Sequence, residues 1–221
     1  MYYIDTKGEL TIIFLIVNSF IYWRFILAQY FDNVDLKSEI RKFDVKILNY
    51  LFSFYSDNGV FCKDHLDFGT RLLLENINWE DVCGKVLDVG CGYGPIGIIA
   101  AKISSNEVWM CDVNKRALHL AKMNAKENNV IVNIVESDCY SSIGDIKFQT
   151  IITNPPIRAG KKVIYKILFD AKEHLTLDGN LFLVIHKDQG AKSLMKDLEK
   201  DYILSVIAKN KGFFAIKCKI R

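Results

Sequence analysis

The chain has 221 residues, 50% hydrophobic and 25% charged, with 13 glycines and three prolines; the length fits one or two domains and the composition is that of an ordinary globular protein, which excludes disordered, collagen-like and low-complexity chains. Its 29 basic and 26 acidic residues leave a formal net charge of +3, too near balance to announce or forbid a nucleic-acid partner. The six cysteines form no Cys-x-x-Cys pair and no cysteine-histidine spacing suited to zinc, so no metal is expected and they read as reduced thiols in a cytoplasmic setting.

At the N-terminus, Leu10 to Trp23 is apolar except for Thr11, Asn18 and Ser19, and Arg24 precedes a second apolar stretch from Phe25 to Ala28. The run falls short of the ~20 residues a spanning helix needs, and Arg24 would be costly in a bilayer. Met1 to Glu9 lacks the positive start of a signal peptide. Residues 1–28 are therefore read as an apolar extension outside the fold, dispensable, with synthesis expected to begin near Leu27; a membrane anchor is the minority alternative. Residues 29–221 form the domain.

Residues 41–62 read as a small β-hairpin unit, with strand-like Phe43, Val45, Ile47 and Leu51 to Tyr55, and turn chemistry at Ser56-Asp57-Asn58-Gly59. Asp67-Phe-Gly-Thr70 predicts a helix start ahead of Arg71 to Asn76. Strands follow at Lys85 to Val89, Glu107 to Asp112, Ile131 to Glu136, Phe148 to Thr153 and Asn180 to His186. Helices at Ile96 to Lys102, Lys115 to Asn128, Lys162 to His174 and Ala191 to Lys200 alternate with them. Two last strands, Ile203 to Lys209 and Phe213 to Lys219, join at Asn210-Lys-Gly212. The alternation predicts an α/β, doubly wound, Rossmann-like sheet closed by an antiparallel hairpin.

In such sheets ligands sit beyond the carboxyl ends of the strands. The first end, Val86-Leu-Asp-Val-Gly-Cys-Gly-Tyr-Gly-Pro-Ile-Gly97, carries a Gly-x-Gly-x-x-Gly spacing, but Asp88 inside the strand would repel a diphosphate. A cation without phosphates suits it better: S-adenosylmethionine, its charge near Asp88 and its backbone against Gly90, Gly92 and Gly94. A tight strand-to-helix turn is the bland alternative. The second end, Met110-Cys-Asp-Val-Asn114, offers Asp112 to ribose hydroxyls, or as a helix cap before Lys115. At the third, Asp138 is placed for an adenine amino group with Cys139 beside the ring, or is simply solvated.

The fourth end, Thr153-Asn-Pro-Pro-Ile157, carries the chemistry. Pro155 and Pro156 fix the backbone and lack N–H groups, so the carbonyls of Asn154 and Pro155 and the Asn154 side-chain oxygen become acceptors for a planar amine. Holding both its hydrogens favours pyramidal nitrogen and exposes the lone pair. The four histidines have no partner carboxylate or cysteine pattern.

Asp88-Val-Gly-Cys-Gly-Tyr-Gly94 with Asn154-Pro-Pro156 resembles class I S-adenosylmethionine-dependent methyltransferases that act on amino nitrogen. Asn58 to Leu74, followed by Asn154-Pro-Pro-Ile-Arg-Ala-Gly-Lys161, is similar to short, single-domain relatives of ribosomal RNA small-subunit methyltransferase C. The resemblance implies a seven-stranded fold and methylation of guanine N2 in 16S ribosomal RNA. The cofactor would lie over Asp88, Gly90, Gly92, Gly94, Asp112, Val113, Asp138 and Cys139. The base would meet Asn154, Pro155, Pro156 and Ile157, and the RNA Phe61, Arg71, Arg158, Lys161 and Lys162, although the lysines equally suit a solvated helix start. Ile157 departs from the Tyr or Phe that many amino methyltransferases carry there, so stacking is expected from Tyr93, Phe61 or Phe68, or else the base is held by apolar contact. The longer members also have an N-terminal half, not contained here, that helps recognise RNA. A glutamine of a release factor or adenine N6 are alternative acceptors, and a non-catalytic cofactor- or RNA-binding module is a further alternative.

Overall fold

The computed structural model describes residues 37–60, 62 and 64–221; the 1–28 extension and Phe61 lie outside the described residues. A hairpin of β1 (Arg41–Ile47) and β2 (Tyr50–Ser56) stands beside a seven-stranded sheet. That sheet is built from β3 (Val86–Val89), β4 (Val108–Asp112), β5 (Asn133–Glu136), β6 (Phe148–Thr153), β7 (Leu175–His186), β8 (Tyr202–Asn210) and β9 (Phe213–Ile220), ordered β5-β4-β3-β6-β7-β9-β8. Strands β3 to β7 are parallel, while β9 runs antiparallel to β7 and β8.

The helices are α1 (Phe68–Asn76), α2 (Pro95–Ser104), α3 (Lys115–Glu127), α4 (Lys161–His174) and α5 (Ala191–Leu198). Side chains of a strand alternate between faces, so each strand feeds two cores. Val86, Met110, Ile152 and Phe182 pack with α1, α2, α3 and the hairpin, while Leu87, Val89, Ile151 and Leu181 pack with α4 and α5. Leu118, Ala121 and Ala125 are the buried stripe of α3.

The hairpin turns at Leu48-Asn49, between the paired Ile47 and Tyr50, and not at Ser56 to Gly59 as the turn residues suggested. Two-residue hairpin loops need a positive φ; here Leu48 supplies it at 51°, a leucine where glycine or asparagine is the readable sign. Asn124 on α3 and Asn128, the cap one turn further on, then dock β2 as a neighbouring strand would. Asn124 Oδ1 accepts from Tyr55 N at 2.6 Å and its Nδ2 donates to the carbonyls of Tyr55 and Tyr93, while Asn128 accepts from Ser53 N and donates to Ser53 O. These bonds tie the hairpin to the glycine-rich loop.

The starts of β5, β7 and α1 differ from expectation for identifiable reasons. Strand β5 begins at Asn133, because Val130 N still bonds Ala125 O and Ile131 is 96% exposed before pairing with β4 starts. Strand β7 begins at Leu175, across from Phe148, with an irregularity before the pairing resumes at Thr150 and Asn180. Helix α1 starts at Phe68, because Asp67 caps it by accepting from Thr70 N. The chain crosses over between β3 and β6, which opens a crevice above their carboxyl ends.

Candidate active site

A cavity of about 600 Å³ fills that crevice, within the range of small-ligand sites. Its wall takes residues from every expected strand end: Gly90 and Gly92 after β3, Asp112 and Val113 after β4, Asp138 and Cys139 after β5, and Asn154, Pro155, Pro156 and Ile157 after β6. Asp67 capping α1, Thr70 of α1, Gly59 and Val60 beyond the hairpin, and Phe213 of β9 also line it.

Gly92, at φ 56°, leaves open space where a Cβ would stand, so the backbone is free to meet a ligand. Its N–H donates to Asp112 Oδ2 at 2.8 Å, and Asp112 Oδ1 accepts from Asn114 N at 2.8 Å. Burial raises the Asp112 pKa, against the amides of Asn114, Gly92 and Val113. Asp112 does not cap α3; Asn114 does, accepting from Arg116 N and Ala117 N.

Asp88 and Gly94 do not line the cavity. Strand alternation sends residue 88 to the same face as Val86, beneath the first turn of α2. There the carboxylate is fully buried, Oδ2 accepts from Gly97 N at 2.8 Å, and Oδ1 has no hydrogen-bond partner. Burial pushes its pKa up to about 8; the Gly97 N–H opposes the shift and the nearby Asp112 charge adds to it. A Cβ on Gly94 would come within 2.6 Å of Met110 Cε, so this glycine serves helix-to-strand packing. Expected contact of both residues with a ligand is thereby corrected to support from behind the loop.

Asp138 is exposed and pairs with Lys166 at 3.5 Å, and burial pushes the Cys139 thiol up to about 12, keeping it neutral. Asn154 is anchored through its amide nitrogen. Its Nδ2 donates to Asp67 Oδ2 at 3.0 Å and to Thr70 Oγ1 at 2.9 Å, which leaves Oδ1 as the acceptor for a ligand. Pro156 O accepts from Ala159 N and closes a turn, so it is not available.

On the outer side, Arg158 lines the cavity, but Arg71, Lys161 and Lys162 do not. Arg71 points round α1 to Glu75 and the Lys46 carbonyl, both reached at about 3 Å. Lys161 lies over the Tyr165 ring at 4.7 Å. Of the aromatics expected to stack on a base, Tyr93 lines the wall and is 3% exposed, and Phe68 lies behind it against Phe213 at 5.6 Å. Phe213 was missed. A detectable signal existed: a strand antiparallel to β7 begins at the carboxyl end of the sheet, opposite His186. Among the described residues no cluster of His, Cys, Asp and Glu could hold a metal, and no helix is long and apolar enough to cross a membrane.

Residues 51–217 match the family model described as methyltransferase small domain. Uncharacterized protein YbxB of Bacillus subtilis is 43% identical over 194 residues, covering 86% of this chain and 96% of its own length. Ribosomal RNA small subunit methyltransferase C of Haemophilus influenzae is 35% identical over 173 residues, 76% of this chain. The alignment covers 52% of that protein, so the chain spans about half the length of this relative. Among solved structures, the T. thermophilus 16S rRNA N2 methyltransferase RsmC in complex with AdoMet and guanosine superposes with a TM-score of 0.75 at 24% identity, over 84% of this chain and 52% of that one.

Proposed function

The chain belongs to the methyltransferase small domain family, and we propose that it transfers a methyl group from S-adenosylmethionine to guanine N2 of 16S ribosomal RNA, on the RNA or the small subunit, in the cytoplasm. The observation that carries this reading is Asn154, an amide whose nitrogen is held by the protein and whose oxygen is left to accept.

The residues present fit the cofactor. Open space at Gly92, a carboxylate at Asp112, an orphaned oxygen on Asp88 and apolar walls at Ile96, Val113 and Ile167 suit a cationic, partly apolar ligand without phosphates. S-adenosylmethionine would supply an electrophilic methyl group there. In this reading Asp112 takes ribose hydroxyls, Asp138 the adenine amino group, Val113 and Cys139 the ring faces, and Gly90 and Gly92 permit close approach.

Asn154 Oδ1 and the Pro155 carbonyl accept the two hydrogens of the target amine, whose lone pair is otherwise delocalised into the ring. The gain is largest as the nitrogen becomes pyramidal and positive, so it lowers the barrier more than it tightens binding. No general base is needed, because the methylated nitrogen is acidic enough to release its proton to water. Arg158, with Lys161 and Lys162 beyond it, would meet RNA phosphates.

Phe213 offers the ring that Ile157 lacks. Base stacking on an aromatic is worth about 1–3 kcal/mol, so Phe213→Ala is expected to raise KM for RNA about tenfold or more, with cofactor affinity unchanged and Phe213→Tyr near wild type. Steady-state kinetics on small subunits measure this, and an unchanged KM removes Phe213 from the site. Tritiated methyl transfer to small subunits, bare 16S RNA, DNA and a release factor, followed by nucleoside analysis, tests the function itself. N2-methylguanosine is expected. Label on adenine or on glutamine would reassign the acceptor, and no transfer at all would overturn the chemistry.

A further inference from the structure

Asn154 is held from the side opposite its acceptor oxygen. The Asp67 carboxylate only accepts, so the end of the amide that faces it at 3.0 Å must be the nitrogen, and Oδ1 turns away. Thr70 Oγ1, 2.9 Å from the same nitrogen, takes the second amide hydrogen. Both partners are products of local folding. Asp67 caps α1, its Oδ2 also accepting from Thr70 N at 2.9 Å, and this places the Thr70 side chain, 4% exposed, one turn further on. Gly69 between them has no room for more: a Cβ there would stand 3.0 Å from Asp67 Oδ2 and 2.9 Å from Phe213.

We propose that Asp67 and Thr70 are positioning residues for methyl transfer, locking the Asn154 amide so that its oxygen and never its nitrogen faces the target amine. The inference rests on Asn154 accepting from that amine, as read above. The chemistry explains why a lock is needed. A free asparagine amide has two faces of similar size, and turned over it would set two donors against the donors of the amine. Binding would weaken and the lone pair would no longer be exposed. The bond to the Asp67 carboxylate opposes that orientation, because the turned amide would set its oxygen against a group that only accepts; the Thr70 hydroxyl, which can accept or donate, holds the nitrogen in place beside it.

Three substitutions separate positioning from folding. Asp67→Ser keeps an oxygen to cap Thr70 N but is too short to reach Asn154. Asp67→Asn keeps a side-chain carbonyl able to accept from both N–H groups without the charge. Thr70→Val keeps the shape and loses the hydroxyl. With saturating cofactor and small-subunit RNA, Asp67→Ser is expected to lower kcat about tenfold or more, with cofactor affinity by calorimetry unchanged. Asp67→Asn should recover most of the rate, Thr70→Val should lose several-fold, and Asp67→Ser added to Asn154→Ala should cost nothing further. If Asp67→Ser melts early, Asp67→Asn and Thr70→Val, which leave the cap in place, carry the test. Wild-type kcat in Asp67→Ser or Thr70→Val, equal impairment in Asp67→Asn and Asp67→Ser, or a loss that adds to that of Asn154→Ala would each overturn the proposal. An inactive wild type, or a fully active Asn154→Ala, would instead overturn the reading of Asn154 beneath it.

Discussion

Asn154→Ala is expected to lower the methyl-transfer rate about 100-fold or more while cofactor affinity stays near wild type. The substitution removes an acceptor whose value rises as the attacking nitrogen gains positive charge, so the loss falls on kcat. Truncation also leaves the Asp67 carboxylate and the Thr70 hydroxyl without their 3.0 Å and 2.9 Å partner, but these lie at the cavity wall, where water can replace it. Asn154→Asp is the sharper variant. It sets a second carboxylate against Asp67, and two like charges at this distance cannot both ionise comfortably. Its defect should therefore be at least as deep at neutral pH and should ease as the pH falls and the pair takes up a proton. Single-turnover rates with calorimetric cofactor affinity decide the matter. A collapse of affinity in step with the rate would make Asn154 structural.

The order of elements was legible because β3, β4, β6 and β7 hold short apolar runs and α3, α4 and α5 are amphipathic, so the two periods separate. The strand ends followed from the same pattern, and with them Gly90, Gly92, Asp112, Asp138 and Asn154, all on the cavity wall. The facing of Asp88 was not legible. All four residues of β3 are buried, on both faces, and a strand without a polar face carries no alternation to read. Arg71 stands off the cavity wall for a geometric reason: in α1, the residue after Thr70 lies about 100° round the helix, away from the cavity and toward Glu75. The bond from Asn154 to Asp67 joins residues 87 positions apart, and nothing local announces it. Asp67 showed only its capping role, which is genuine, while its second use depends on where α1 docks against β7 and β9.

Asp88→Asn is expected to weaken cofactor binding about tenfold or more at pH 8.5 and, in the same protein, to stabilise the free enzyme there. The wild-type carboxyl is fully buried and its pKa stands near 8, against an ordinary value of 3.8. An acid whose folded pKa is raised binds a proton that the unfolded chain releases, so stability falls as pH rises from about 4 to 8 and levels off above. The amide of the variant has no proton to lose and keeps an oxygen for the Gly97 N–H, so its melting temperature should lack that decline. Binding runs the other way. A cationic ligand over the glycine loop favours the ionised carboxylate, so wild-type affinity should climb as the pH passes 8, and the variant should lose that climb together with the charge. Asp112, whose pKa burial also raises, is present in both proteins, but its charge is coupled to Asp88, so the difference between the two profiles reports the titration of the pair. Calorimetric titrations and thermal melts of the two proteins between pH 5 and about 9 test both halves, the upper limit lying roughly one unit past the pKa so that ionisation is nearly complete. Equal affinity at the alkaline end would remove Asp88 from cofactor recognition. Parallel melting profiles would show that the buried carboxyl titrates as an ordinary acid.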